Sequence, residues 1–171
     1  MHFLTFTVVE WLDVFTRKLY AEIIMDSLNY CQKEKGLLIH CYCIMSNHMH
    51  TILSSTQGNL SAIIRDFKSF TSKQIIKSIL SNQAESRKDW MIPVFRKAAE
   101  LNQRNKENQF WIQDNRPMEC YSPKFTVQKM NYIHQNPVRA GIVRAPEDYI
   151  YSSAWNYKHH QQSAILDICF I

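Results

Sequence analysis

Two histidines separated by one residue are the feature of this sequence best suited to chemistry. They are His48 and His50 in the run Ser46-Asn47-His48-Met49-His50, and the surrounding residues are typical of a β-strand. Because successive strand side chains point to opposite faces, both imidazoles lie on one face and Met49 lies on the other. Two imidazoles on one face suit a metal ion but supply only half of a site. A His-x-His pair on a strand also fits an ordinary surface or core position.

Two further groups lie on a predicted helix late in the chain. Tyr132 and Asn136 are four residues apart, which places the phenol and the carboxamide on one helical face. Asn136 could complete the metal site, and an amide oxygen beside two imidazoles suits Mg²⁺ or Mn²⁺. Tyr132 would then be the nucleophile. A free phenol has a pKa of about 10, so this one would have to be activated. This set of groups predicts phosphoryl transfer through a phosphotyrosine, which permits a strand to be cut and rejoined.

The spacing of apolar residues predicts the elements that position these groups. Strands are expected at His2–Trp11, Leu37–Met45, His48–Ser54 and Phe110–Asp114, and helices at Arg17–Lys35, at Leu60–Leu80, from Pro93 onward and at Lys124–Asn136. Gly36 closes the first helix, Ser46 and Asn47 form a hairpin turn, and Pro137 stops the last helix. Strands interspersed with helices predict an α+β fold, with helices packed on a small antiparallel sheet of about four to five strands.

Length and composition predict one domain. The chain has 171 residues, 46% of them hydrophobic, which is enough for one buried core and short for two. We therefore expect a single domain over residues 1–171. Residues 81–109 are expected to be a polar helical excursion, because they have too few apolar residues for a core of their own. Residues 138–171 form a C-terminal tail block.

The charge of the chain is compatible with a polyanionic partner. The net charge is +5 and the isoelectric point is near 9.0. The candidate nucleic-acid contacts are Arg65, Lys68, Lys73, Arg139 and Arg144. A solvated basic face explains the helical members of this set equally well. The four tryptophans, Trp11, Trp90, Trp111 and Trp155, could stack on unpaired bases or pack in the core.

The cysteines indicate a reducing compartment. Their number is five, with no Cys-x-x-Cys pair, which is typical of reduced thiols. Residues 1–11 lack the pattern of a secretory signal, and no apolar stretch reaches the ~20 residues that span a bilayer. We expect a cytoplasmic protein. Cys41 and Cys43 could join the histidines in a zinc site, although they lie before the predicted turn.

Two blocks of the sequence together resemble a known family. The run from Met45 to His50 is similar to the His-hydrophobic-His motif of the single-tyrosine HUH transposases, which usually stands in a Met-Pro-Asn-His-x-His context. The run Tyr132–Val143, followed by Pro146–Tyr149 and Ser152–Ala154, resembles the tail block of the REP-associated branch. The resemblance extends from the first strand to about Tyr157. The chain departs from the pattern at Ser46, where proline is usual, and in its 81–109 excursion.

The resemblance implies a palm-like fold and a transposase activity on single-stranded DNA hairpins. It assigns His48 and His50 as metal ligands, Tyr132 as the nucleophile and Asn136 as the third ligand, in a position where insertion-sequence relatives carry glutamine. It implies cleavage and strand transfer through a 5′-phosphotyrosine with Mg²⁺ or Mn²⁺. Insertion-sequence relatives are dimers and the REP-associated branch includes monomers, so both states stay open.

Two other functions stay open at this point. A domesticated relative could hold structured single strands without cleaving them, with an affinity that drops steeply with salt. A metal phosphodiesterase could use water as its nucleophile, in which case the phenol would be dispensable.

Overall fold

The computed structural model describes residues 1–102, 107–162 and 165–171. Within these ranges one sheet has the strand order β2-β3-β1-β4, and every pair of neighbouring strands is antiparallel. The strands are β1 (His2–Thr7), β2 (Leu37–Ile44), β3 (His48–Ser55) and β4 (Met118–Glu119). The helices are α1 (Lys18–Lys35), α2 (Leu60–Ser81), α3 (Lys88–Glu100), α4 (Pro123–Arg139) and α5 (Ala154–His159). This architecture confirms the predicted α+β fold with a small antiparallel sheet.

The two faces of the sheet are covered by different helices. On one face, Leu4, Phe6 and Met49 join the main core with buried residues of α1 and α2. On the other face, Phe3 and Ile52 pack against residues of α4. The strand register pairs Thr5 with His50 and Thr7 with His48, so both histidines belong to the α4 face.

The local signals around the histidine hairpin were predicted correctly. Gly36 ends α1 with a φ of 68°, a left-handed conformation that glycine adopts without strain. β2 and β3 pair as a hairpin, and the Met45 N–H donates to the His48 carbonyl at 2.7 Å. Ser46 and Asn47 therefore form the turn that introduces His48.

The first strand is shorter than predicted. β1 ends at Thr7 instead of continuing to Trp11, because Glu10 and Trp11 have φ values of 52° and 53°. Such left-handed residues cannot continue a pleated ladder. A short 3-10 turn, Val9–Trp11, replaces the end of the predicted strand.

The strand predicted at Phe110–Asp114 is wrong. The segment runs beside β1 and forms one isolated bridge, between Val8 and Trp111, with the Ile112 N–H donating to the Thr7 carbonyl at 2.8 Å. On this edge of β1, regular pairing among the described residues occurs further along the chain, at β4. Because this edge pairing depends on tertiary contacts, periodicity alone did not locate it.

Two prolines lie inside helices that they were predicted to begin or end. α3 begins at Lys88, five residues before Pro93, and α4 continues through Pro137 to Arg139. Pro137 is itself buried, so its packing offsets the backbone hydrogen bond that proline cannot donate. The buried residues Met91 and Phe95 stabilise α3 in the same way.

The excursion and the tail both pack against the rest of the chain. The buried side chains of α3 belong to the main core, although residues 103–106 of the 81–109 excursion lie outside the described residues. The tail follows the free edge of β2: the Ile44 N–H donates to Tyr151 at 2.9 Å and the Cys169 N–H to Ile39 at 2.9 Å. Residues 163–164 of the tail lie outside the described residues. That residues 1–171 form a single domain stays a prediction.

Within the described ranges, the helices are too short or too polar to cross a membrane.

Candidate active site

His48 and His50 lie side by side at the start of β3. Their ring centroids are 4.7 Å apart, on the face that α4 covers. His50 is buried and stacks on Phe3 at 5.6 Å, while His48 is half-buried and meets the edge of Trp11 at 5.6 Å. The alternation of β3 thus brings the two imidazoles together, as the sequence predicts.

Hydrogen bonds at Nδ1 orient both imidazoles. Asn47 Nδ2 donates to the Trp11 carbonyl at 3.1 Å and to Asp13 Oδ1 at 3.0 Å, which fixes the orientation of this amide. Its Oδ1 therefore accepts from His48 Nδ1 at 2.7 Å. His50 Nδ1 lies 2.9 Å from Thr5 Oγ1. In the part of the chain that the structure describes, neither Nε2 has a hydrogen-bond partner, so Nε2 is the atom available to a metal ion.

Burial keeps both imidazoles neutral. Desolvation lowers the pKa of His50 to about 3, and the nearby His48 and Lys129 add to this effect. Burial also lowers the pKa of His48, against a smaller opposing effect of Asp13. Metal ions bind the neutral form of histidine, so no proton has to leave at neutral pH.

Helix α4 brings Tyr132 to the histidine pair. Its ring centroid lies 5.2 Å from that of His50 and 6.2 Å from that of Phe3, and the side chain is 37% exposed. Ser122 caps the helix by accepting from the Phe125 N–H at 3.3 Å. The contact of Ile133 with the sheet then turns the preceding residue, Tyr132, toward the edge of the buried cluster.

Two cations flank the Tyr132 ring. The Lys129 ammonium lies 6.0 Å from its centroid and 4.8 Å from that of Phe3, and the Arg139 guanidinium lies 5.6 Å from the Tyr132 centroid. This charge suits a phosphate at the tyrosine oxygen. Arg139 was among the predicted contacts and Lys129 was missed. The signal for Lys129 was its position three residues before Tyr132, on the same helical face.

Asn136 is near Tyr132, but its role as a metal ligand stays a prediction. Its Nδ2 donates to the Tyr132 carbonyl at 2.8 Å. The amide oxygen, which is a hydrogen-bond acceptor, is not used in this bond. No contact between Asn136 and either site histidine is seen among the described residues. The same residues contain no cluster of three or more His, Cys, Asp or Glu side chains that could hold a metal.

The basic residues predicted on α2 lie on the other side of the sheet. α2 packs on the face of Phe6, through an edge contact of Phe67 with that ring, whereas the histidines face α4. Arg65 pairs with Asp66 at 3.2 Å, and Lys73 is exposed.

Two more of the predicted basic contacts are Lys68 and Arg144. Lys68 Nζ donates to the Ile112 carbonyl at 2.7 Å and to Asn115 Oδ1 at 2.9 Å, a geometry that favours a structural role. Arg144 is exposed beyond the end of α4. Of the five predicted basic contacts, Arg139 is the one with a contact to Tyr132 among the described residues, and DNA binding by all five stays a prediction.

The proposed zinc alternative has no support in the thiol environment. Cys41 and Cys43 are buried, and burial raises the pKa of the Cys43 thiol to about 12 and that of Cys41 further. Thiols that stay protonated are poor metal ligands. Cys43 lies next to Met45, with a sulfur to sulfur distance of 3.7 Å, in the small apolar cluster under α4.

Comparison with known proteins identifies relatives of this arrangement. Residues 3–92 match the family model "Transposase IS200 like", a range that contains both site histidines and ends before Tyr132. The chain is also similar to a solved structure, "Structure of the REP associates tyrosine transposase bound to a REP hairpin", with a TM-score of 0.64 and 14% identity. That similarity covers 98% of this chain and 88% of the other. No protein of curated function matches the chain.

Proposed function

The chain belongs to the family of IS200-like transposases, and on that basis we propose that it cuts and rejoins single-stranded DNA that carries hairpins, through Tyr132. The solved structure to which the chain is similar in fold is described as bound to a REP hairpin, and this supports a hairpin as the substrate. Cleavage, metal dependence and the roles of individual residues are all part of the proposal.

The observation that carries the proposal is the 5.2 Å contact between the rings of His50 and Tyr132. The two residues come from distant parts of the chain, and only the packing of α4 on β3 brings them together. A phenol beside the neutral imidazole of His50, with two cations near its ring, is a set of groups that suits phosphoryl transfer to tyrosine.

The histidine pair fits a divalent cation. Both Nδ1 atoms are engaged, both rings are neutral, and Tyr132 is accessible from solvent. His48 and His50 would hold Mg²⁺ or Mn²⁺, with Asn136 as the third protein ligand. When bound, the ion would polarise the phosphodiester and lower the barrier to attack.

The chemical step transfers one phosphoryl group to the protein. The Tyr132 oxygen attacks phosphorus, the bond from phosphorus to the 3′ oxygen breaks, and the phenolic proton leaves to solvent while the departing 3′ oxygen takes one up. The product is a 5′-phosphotyrosine and a free 3′-hydroxyl. Lys129 and Arg139 would neutralise charge on the phosphate oxygens. A 3′-hydroxyl from another strand can reverse the step, which rejoins DNA.

A covalent-adduct assay tests this proposal. Incubating the purified protein with hairpin-bearing single-stranded oligonucleotides and Mg²⁺ or Mn²⁺ should give a protein–DNA adduct on a denaturing gel. Tyr132→Phe should abolish the adduct, and a chelator should do the same. Tyr121→Phe is a matched control, because Tyr121 is an exposed tyrosine that stacks on Phe125 outside the histidine site.

Three outcomes separate the candidate functions. Undiminished cleavage by Tyr132→Phe would contradict the tyrosine mechanism and favour water as the nucleophile. Hairpin binding without any cleavage, insensitive to chelator, would instead support a non-cleaving binder. Loss of the adduct in Tyr121→Phe, with retention in Tyr132→Phe, would place the nucleophile at Tyr121, outside the histidine pair.

A further inference from the structure

Trp11 is an exposed aromatic residue at the edge of the histidine site. Its side chain is 58% exposed and its ring meets that of His48 at 5.6 Å. Trp111 is buried at 4% exposure, while Trp90 and Trp155 are exposed at 51% and 39%. In the described part of the chain, neither of those two has a ring contact with a site histidine. Trp11 is thus distinguished from the other tryptophans by its place beside His48.

The backbone holds Trp11 in an unfavourable conformation. Glu10 and Trp11 are consecutive left-handed residues, and neither is glycine, asparagine or aspartate, for which that region is accessible. Continuing β1 through these positions, as the sequence predicts, would avoid the strain. Strained residues persist where surrounding contacts over-determine them, and they concentrate at functional sites.

The contacts that maintain this strain come from the turn that carries the site. Asn47 Nδ2 donates to the Trp11 carbonyl at 3.1 Å, and the Val8 N–H donates to the Asn47 carbonyl at 2.9 Å. The same Asn47 amide orients His48. The backbone of Trp11 and the imidazole of His48 are therefore linked through one shared residue.

We propose that Trp11 is a base-stacking residue that holds the unpaired nucleotide next to the phosphodiester at the site. This inference rests on the proposed function for its location, since it requires a single strand to cross the histidine pair. An indole that lies beside His48 and is mostly open to solvent fits a nucleobase, because every base has a π face that can stack on an aromatic ring. Core packing does not explain a tryptophan that is mostly exposed and backbone-strained.

The preference for bases over sugar-phosphate tests the stacking directly. The probe is a fluorescent deoxythymidine oligomer of roughly 16 nucleotides, compared with an abasic oligomer of equal length and charge. Stacking is sequence-tolerant, so no recognition sequence is needed. Full-length wild-type protein should bind the thymidine oligomer about 5-fold to 100-fold more tightly than the abasic one, the range expected for stacking of one base.

Four variants determine whether Trp11 supplies this preference. Trp11→Phe should keep most of it, because phenyl also stacks, and Trp11→Leu should lose it while preserving an apolar side chain of moderate size. Trp11→Ala should behave as Trp11→Leu. Trp90→Ala is the matched control, since Trp90 is similarly exposed on α3, and it should retain the wild-type ratio.

Two results for Trp11→Leu would overturn the inference. One is a ratio of the affinities for the two oligomers equal to that of the wild type, and the other is an equal loss of affinity for both oligomers. An equal effect of Trp90→Ala would also overturn it, because stacking would then not be specific to the site. Adduct assays distinguish this failure from that of the proposed function. If wild-type protein forms the tyrosine adduct and Trp11→Leu keeps the base preference, only the inference about Trp11 fails. If no adduct forms but Trp11→Leu loses the preference, the proposed chemistry fails and the stacking assignment holds.

Discussion

Two pairs of histidines in this protein are wholly or partly buried, and they differ in whether the ring atom Nε2 has a hydrogen-bond partner. His40 uses both ring nitrogens, with the Cys169 carbonyl at 2.9 Å and Ser54 Oγ at 2.7 Å. His134 Nε2 lies 2.9 Å from Ser153 Oγ and 3.1 Å from Cys41 Sγ. His48 and His50, in contrast, have bonds to Nδ1 alone among the described residues. Neighbours that bind Nε2 give a histidine a structural role, whereas neighbours that bind Nδ1 alone leave Nε2 available to a metal ion.

Burial and pKa alone do not separate the two pairs. Burial lowers the pKa of His134 to about 4, much as it lowers that of His50 to about 3. Both imidazoles are therefore neutral at pH 7. The distinction between the two pairs lies in hydrogen bonding, and substitution of one histidine at a time tests it.

The largest expected contrast is between His50→Ala and His134→Ala. His50→Ala removes one of the two proposed imidazole ligands, so metal-dependent adduct formation should fall by at least about 100-fold. His134→Ala removes partners of buried Ser153 and Cys41, and it should lower the free energy of unfolding by about 2 kcal/mol. The covalent-adduct assay measures the first effect and urea denaturation the second, while Mn²⁺ titration calorimetry measures metal affinity in both variants.

The controls for this contrast are reciprocal. His134→Ala should keep its Mn²⁺ affinity within a few-fold of wild type, on protein verified as folded by circular dichroism. If His134→Ala lost Mn²⁺ binding while His50→Ala retained it, the assignment of the two pairs would be reversed.

Sequence alone placed His48 and His50 on one face of the sheet because strand alternation acts locally; their role as metal ligands stays a prediction. His48 and His50 share a face whatever the tertiary structure, so their spacing was sufficient. His40 and His134 carried no such signal, because their hydrogen-bond partners come from the tail and from neighbouring strands. The hairpin turn and the end of α1 were also set by local chemistry and were predicted.

The features that sequence missed depend on packing between distant segments. Which side of the sheet α2 covers is not encoded in its own periodicity, so Arg65 and Lys73 were grouped with Arg139 although they lie on the opposite side. The break of β1 after Thr7 likewise depends on contacts of the following loop with the Asn47 turn.

A smaller effect is expected from residues that only orient a ligand. Asn47→Ala removes the acceptor of His48 Nδ1 and should lower Mn²⁺ affinity about 10-fold to 100-fold. Ser54→Ala is the matched control, because Ser54 Oγ lies at the same distance, 2.7 Å, from Nε2 of His40, outside the proposed site, and should leave Mn²⁺ affinity unchanged. Equal losses in both variants, measured by calorimetry, would mean that the pairs do not differ in function.

The smallest contrast between the two pairs is expected in the dependence of stability on pH, which both pairs share. The native pKa values of His50 and His134 lie well below the unfolded value of about 6.5, so between these limits the unfolded chain binds protons that the native state excludes. The free energy of unfolding should therefore decrease as the pH falls from about 6.5 toward 4, by up to about 1.4 kcal/mol per pH unit for each histidine. Urea denaturation at pH 7.5 and 5.5 measures the decrease, and His50→Phe should reduce its slope.

Mn²⁺ affinity of the native protein should stay nearly constant from pH 7.5 to 6.5, since the imidazoles are already neutral. A steep loss of affinity in that interval would show that the site histidines are protonated like exposed ones, and would remove the basis for treating burial as preparation for metal binding.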